Sequence, residues 1–253
     1  MTISKTIALA FSMFSAIPVP FIKAEDWSEK NLKYILCAFP LVGLAIAILW
    51  HIANHIFLSF THFSLLRAAV LTALPVLVTG GIHLDGYLDA CDAFFSHKSK
   101  EDKLLIMKDS HSGAFAIIYC AIYFIIYFSC VFENRNFDGF LPVFIIERLL
   151  SALAVATFPN AKTSGLAKTF SDTMAKKKTT AFCIFSIICI SILSLILFSL
   201  PALIAILAAF ANFLIYYIVS KRVFGGITGD LAGAFVEITE LFSLFAFTIV
   251  SAN

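Results

Sequence analysis

Seven long stretches of this chain are almost entirely apolar: roughly residues 34–58, 65–82, 113–132, 138–159, 180–199, 201–219 and 234–252. Each is close to the roughly 20 residues that an α-helix needs to cross the hydrocarbon core of a bilayer. Apolar residues make up 60% of the chain and charged residues 13%, against about half and about a quarter in soluble proteins. The mean hydropathy is +0.95. A water-soluble fold could not hide this much apolar surface, so lipid must solvate part of it. The expected fold is an all-α polytopic helical bundle in one domain, 1–253, with about seven spanning helices and a short N-terminal apolar segment.

That segment, 5–21, ends on Pro18 and Pro20 and could span with tilt, re-enter or lie in the interface. Its run Ile7–Val19 is preceded by only Lys5 and has no small-residue cleavage site, so a cleaved signal peptide is not expected. Pro201, between two apolar runs, marks a tight helical hairpin. The six cysteines form no C-x-x-C pair and mostly lie in apolar runs, where they read as small buried hydrophobes.

The connections divide sharply by charge. Fourteen of the eighteen lysines and arginines fall in 23–33, 83–112, 160–179 and 220–233. The alternate connections, 59–64, 133–137 and the Pro201 turn, hold only Arg135. The positive-inside rule assigns the basic side to the cytoplasm and the C-terminus to the far side. Nothing in this distribution suggests a nucleic-acid partner. The Lys176–Lys178 run reads as a solvated patch attracted to anionic headgroups.

The segment Gly80-Gly81-Ile82-His83-Leu84-Asp85-Gly86-Tyr87-Leu88-Asp89-Ala90-Cys91-Asp92 directly follows an apolar run. If a helix continues or restarts here, Asp85, Asp89 and Asp92 stand at i, i+4 and i+7 on one face. Like charges at that spacing repel, and carboxylates beside an apolar run are costly. The simplest compensation is a hard divalent cation with oxygen ligands, Mg²⁺ above others. His83 fits a ligand, a base or a structural histidine equally.

Three other places on the basic side could act with this cluster. In Met107-Lys108-Asp109-Ser110-His111-Ser112-Gly113, Lys108 can hold phosphate as a point charge, and Ser110 can either cap a helix or bind substrate. In Gly225-Gly226-Ile227-Thr228-Gly229-Asp230, glycines would let backbone amides approach an anion. Asp230, Glu237 and Glu240 follow on one side of the next apolar run, and Arg148, beside Glu147, sits mid-run in 138–159. Carboxylates, lysines and glycine turns together point to phosphate chemistry, and the absence of G-x-x-x-x-G-K-[ST] excludes a P-loop ATPase.

These residues resemble the cobalamin synthase family, whose members are also called adenosylcobinamide-GDP ribazoletransferases. The resemblance covers nearly the whole chain. It begins with Ile17-Pro18-Val19-Pro20 and Phe39-Pro40-Leu41-Val42-Gly43 and is most specific at Gly80–Gly86 with Asp89 and Asp92. Ile106–Ser110 with Gly113, and Gly225–Asp230 with Gly233, Glu237 and Glu240, follow in the family's order. The resemblance implies a Mg²⁺-dependent enzyme of the cytoplasmic (inner) membrane that joins adenosylcobinamide-GDP to α-ribazole or its phosphate and releases GMP. It leaves a homo-oligomer open. On this reading Asp85, Asp89 and Asp92 hold metal; Lys108, Ser110, Arg148, Lys162, Gly225, Gly226, Thr228, Gly229, Glu237 and Glu240 bind substrate; and His83, Asp109 or Asp230 orients or deprotonates the attacking hydroxyl. The chain departs from the pattern in two places. Ala93-Phe94 follows Asp92 where a small residue and then glycine are usual, and Lys162 stands where arginine is general, losing the planar fork. A CDP-alcohol phosphotransferase would need a D-x-x-D-G-x-x-A-R start, which is absent. An ion-coupled transporter is the non-enzyme alternative.

Overall fold

A computed structural model describes residues 3–60, 62–109, 111–198 and 200–251. The described residues form twelve α-helices: α1 (Ile3–Phe14), α2 (Glu29–Leu32), α3 (Ile35–Leu58), α4 (Ser64–Thr79), α5 (Ile82–Phe95), α6 (Lys100–Ile106), α7 (Ala114–Glu133), α8 (Val143–Thr157), α9 (Leu166–Thr173), α10 (Lys176–Leu197), α11 (Leu200–Val219) and α12 (Gly229–Ser251). A 3₁₀ turn, Ala24–Asp26, and a π-helical turn, Ser220–Phe224, complete the regular structure. Among the described residues the only strand-like pairing is one parallel bridge between Asn160 and Ile227.

All seven expected apolar segments are helical. Five of them (α3, α7, α10, α12, and α11 with its π-helical turn) are long and apolar enough to cross a membrane, and the chain is a multi-pass membrane protein. The count reaches six if α4 and α5 are taken as one broken span. The remaining segment, α8, has 15 residues, about 22 Å of helix, and is too short to cross unaided. It lies at the centre of the bundle, packed on α3, α10 and α12, with Phe144, Glu147, Arg148, Leu149 and Leu150 all buried. α1, at 12 residues, is also too short to cross; it buries Leu9, Ala10 and Phe14 and packs on α3. α10 lies at the other extreme. Phe185, Ile188, Ile192 and Ile196 are all more than half exposed, an apolar face for lipid.

Local chemistry sets the element ends. Pro201 lies in the first turn of α11, where a missing N–H costs nothing, and α10 stops at Leu197 just before it. Ser99 caps α6 by accepting from the Asp102 N–H at 3.2 Å. α3 approaches α8 through Gly43, where any Cβ would run into the Phe144 carbonyl oxygen. All six cysteines are free.

The helices gather the four basic connections at one end of the bundle. Ala175 N–H donates to the Lys33 carbonyl at 3.2 Å, Lys103 lies over the Phe224 ring, and Lys162 pairs with Asp230 at 3.8 Å. At the opposite end Arg67, which escaped notice in the sequence inside an apolar run, is buried. It donates to Asn54 Oδ1 at 2.9 Å and to the Val131 and Asn134 carbonyls at 3.0 and 2.6 Å.

Because α3 and α8 touch backbone to backbone at Gly43, Gly43→Ala should destabilise the protein by about 1–3 kcal/mol, the usual cost of overpacking. Thermal aggregation in detergent checks this, and an unchanged transition would show that the contact is soft.

Candidate functional site

The carboxylate segment owes its direction to two glycines. Gly80 and Gly81 have φ of 65° and 78°, a left-handed conformation that other residues adopt only with strain. They end α4 as a left-handed cap, and α5 restarts at an angle of 94°. Ala16 N–H donates to the Val78 carbonyl at 2.8 Å and holds the elbow against the segment after α1. The restarted helix sets Asp85, Asp89 and Asp92 at the expected spacing on one face. Asp85 is exposed, and Asp89 and Asp92 are half-buried.

The adjoining face of α5 packs on α12 through two glycines. A Cβ on Gly86 would lie 2.6 Å from the Asp230 carbonyl oxygen, and one on Gly233 would lie 3.2 Å from the His83 backbone. This close approach brings Asp230, in the first turn of α12, beside the α5 carboxylates. Asp89 is repelled by Asp85, Asp230 and Asp92 and attracted by Lys162. Thr228 Oγ1 lies 3.4 Å from Asp230 Oδ2 and accepts the Leu231 N–H at 3.1 Å, closing the first turn of α12.

Lys162 arrives on a segment sewn to the turn before α12. Ala161 N–H donates to the Ile227 carbonyl at 2.9 Å, and Ile227 N–H donates to the Pro159 carbonyl at 2.8 Å. Gly226, at φ 154°, makes this possible, because a Cβ there would sit 2.5 Å from the Pro159 oxygen. The amides of Gly225 and Gly226 both turn to the Ser220 carbonyl, and neither glycine lines the cavity described next. Their place is structural: they shape the turn and offer no N–H to an anion.

A cavity of about 460 Å³ opens where these pieces meet. Its polar lining includes His83, Asp85, Lys108, Lys162, Thr228 and Asp230, with Gly229 at the α12 N-terminus. Phe14, Leu36, Phe39, Val155 and Phe170 form an apolar wall. Ser151, Asn160 and Lys168 also line it. These three were not singled out from sequence, where Ser151 is lost in an apolar run and Lys168 is one basic-loop lysine among many. Two lining residues carry buried polar atoms without a hydrogen-bond partner among the described residues, His83 Nε2 and Asn160 Oδ1.

Other expected site residues lie elsewhere. Asp92 caps α7, accepting the Gly113 N–H at 2.5 Å and the Ala116 N–H at 2.9 Å. Asp109 sits on the exposed loop and binds His111 Nδ1 at 2.8 Å, a hydrogen bond that holds its carboxyl below the usual range. Ser110 lies outside the described residues. Arg148, Glu237 and Glu240 lie beneath the cavity in a buried polar core. Tyr123 donates to Glu237 and Tyr127 to Glu240, each at 2.6 Å, while Arg148 pairs with Glu147 and lies over the Phe39 ring that forms the cavity wall.

The donor set suits a hard cation. Asp85, Asp89 and Asp230 offer carboxylate oxygens alone, and they repel one another in the absence of a counter-charge. They do not close on one point as they stand. Among the described residues the sole trio of His, Cys, Asp or Glu side chains with ligand atoms all within 4.8 Å is His51, His55 and Asp138, at the other end of the bundle.

Fold and site together define a multi-pass helical membrane protein whose cavity, at the basic end, sets carboxylates and lysines against an aromatic wall. The chain belongs to the cobalamin-5-phosphate synthase family, whose model matches residues 6–248. It is 38% identical over 243 residues to the adenosylcobinamide-GDP ribazoletransferase of Lachnoclostridium phytofermentans, covering 95% of this chain and 92% of that one. It is 31% identical over 248 residues to the protein of that name from Clostridium botulinum strain Alaska E43, covering 96% of each. The protein of that name from a Geobacillus species is 33% identical over 232 residues, covering 88% and 87%. No solved structure matches the chain.

Since Asp92 satisfies two amides at the start of α7, Asp92→Ala should cost about 0.5–2 kcal/mol of stability, the range for a lost helix cap. Asp85→Ala, whose carboxylate caps nothing, should leave stability unchanged. Parallel unfolding curves in detergent separate the two.

Proposed function

We propose that this chain transfers the phosphocobinamide group of adenosylcobinamide-GDP to α-ribazole or α-ribazole phosphate and releases GMP. The observation that carries the reading is the two-sided cavity: its carboxylates and lysines suit a metal-bound pyrophosphate, and its aromatic wall suits the face of a ring system. Family membership supplies the identity of those groups, since no cavity geometry could name a corrinoid.

Asp85 and Asp89 would hold Mg²⁺, and Asp230 faces them from α12. A bound divalent ion would neutralise pyrophosphate charge and make GMP a better leaving group. Lys162 and Lys108 supply positive charge to the remaining phosphate oxygens, and the N-terminus of α12 adds its dipole. Asp230 is positioned as the residue that orients or deprotonates the ribose hydroxyl, because it lines the cavity and is held by Thr228 and Lys162. Asp92 acts by fixing α7 against α5. The buried core of Arg148, Glu147, Glu237 and Glu240 holds the cavity floor through Phe39 and reaches no substrate. The positive-inside rule places the cavity at the cytoplasmic face of the inner membrane.

Purified protein in lipid nanodiscs, given adenosylcobinamide-GDP, α-ribazole and Mg²⁺, should release GMP. No GMP with either ribazole form and any divalent ion would overturn the reading. Asp89→Asn and Asp230→Asn should each lower kcat by about 10²–10⁴-fold, the scale of lost electrostatic or acid–base assistance, with the fold intact. Lys162→Ala should mainly raise KM. Near-normal turnover in Asp89→Asn would remove it from the metal set.

A further inference from the structure

We propose that His51, His55 and Asp138 form a binding site for a borderline divalent transition-metal ion, of which Zn²⁺ is the type, at the end of the bundle opposite the cavity. The three residues come from two places in the chain. His51 and His55 stand one turn apart on α3 and project from the same side of the helix. Their rings lie 4.3 Å apart between centroids. Asp138 enters from the connection between α7 and α8, and its Oδ1 lies 3.1 Å from His51 Nδ1. One ligand atom from each lies within 4.8 Å of the other two. Around a single ion with bonds of about 2.0–2.2 Å, ligand atoms stand roughly 3–4 Å apart. Small side-chain rotations therefore suffice to close the site.

The connection that presents Asp138 is fixed in advance. Buried Arg67 donates to two of its flanking carbonyls, those of Val131 and Asn134, and has no carboxylate partner among the described residues. Asn54, one turn beyond His51 on α3, joins the same network: its Oδ1 accepts from Arg67 and its Nδ2 donates to the Arg135 carbonyl at 3.0 Å. Asn134 Nδ2 donates to Thr248 Oγ1 on α12 at 2.8 Å. The Phe137 ring stands edge-on to Trp50 at 4.4 Å, and the Asp138 N–H donates to Asn136 Oδ1 at 3.0 Å. The helix carrying the histidines and the loop carrying the aspartate are thus locked together by buried hydrogen bonds and an aromatic contact. An ion then meets its three ligands with little ordering left to do.

Two imidazoles and one carboxylate select the kind of ion. Nitrogen donors favour Zn²⁺, Co²⁺, Ni²⁺ or Cu²⁺ over Mg²⁺, which takes all-oxygen sites. The cavity end offers the reverse set, carboxylates without a second nitrogen donor. The two ends are separated by the length of α3 from Leu36, which lines the cavity, to His51, about 22 Å. The side chains of His51 and Asp138 are 43% and 44% exposed, so water or an outside ligand can complete the coordination. The same contact without metal is an ordinary histidine–carboxylate pair, and His55 tells the two apart, because that pair needs only His51 and Asp138.

The experiment uses full-length, tag-free protein in detergent, stripped with a chelator. Zn²⁺ binding is measured by titration calorimetry, and Co²⁺ is added for its absorption spectrum. The expected result is one Zn²⁺ per chain, and Co²⁺ bound to the stripped protein with visible bands of nitrogen-and-oxygen ligation that Zn²⁺ bleaches by displacement. His55→Ala should weaken binding by at least about tenfold, the loss that follows even from removing an outer-shell partner. The triple variant His51→Ala, His55→Ala, Asp138→Asn should abolish it, and Mg²⁺ should not compete. GMP release in Mg²⁺ should be unaltered in His55→Ala. Binding that is equal in the wild type and the triple variant would overturn the proposal, as would full affinity in His55→Ala, which would leave only the His51–Asp138 pair. Because the readout is metal bound rather than product formed, the result stands apart from the transferase reading.

Discussion

The close passage of α5 across α12 is the contact on which the rest of the site depends. Gly86 and Gly233 face each other's helix with no side chain between, and the two backbones approach closely. Only this contact brings a carboxylate from residue 230 beside those at 85 and 89. A membrane bundle has little hydrophobic force to drive its helices together, since lipid is as apolar as leucine, so the packing must come from shape. Here the shape is two glycines. Everything arranged around them, including the Lys162 segment stitched to Ile227, follows from that approach.

Much of this was legible in the sequence, for identifiable reasons. Hydrophobic length reports helices directly, because one bilayer thickness sets one scale, and every expected apolar segment is a helix. The spacing of Asp85, Asp89 and Asp92 survived because a helix does restart after Gly81. The sharing of one end by the four basic connections followed from alternation alone. What sequence could not resolve is how one residue type divides its duties. Asp92 looks identical to Asp85 on paper, yet its oxygens meet the first amides of α7, 21 residues downstream. Gly225 and Gly226 looked like an anion cradle, yet their N–H groups are consumed within the turn. The shortness of α8 was hidden because apolar composition continues past both of its ends.

The buried charges form a second layer of organisation. Glu147 pairs with the Arg148 guanidinium, and Glu237 and Glu240 each accept from a tyrosine hydroxyl, all enclosed among apolar side chains. Such groups are tolerated in a membrane interior only when each finds a partner there. In this chain the partners come from α7, α8 and α12, so the network ties three helices together, while Glu147 Oε2 and Arg148 Nε have no hydrogen-bond partner among the described residues. Arg67 does comparable work at the other end with carbonyls alone. Its side chain gathers peptide oxygens of the connection between α7 and α8.

The elbow at Gly80–Gly81 has a consequence for how the carboxylates meet their surroundings. On a helix running along the membrane normal, residues 85 to 92 would be staggered over about 10 Å of depth, from a nearly aqueous environment into one of low polarity. The aspartates would then differ greatly in the cost of carrying charge. A turn of 94° sets α5 across the direction of α4, and the three aspartates form a level row relative to that direction. A ligand lying along the row meets Asp85 and Asp89 at nearly one level along the α4 direction, as along a shelf rather than down a shaft.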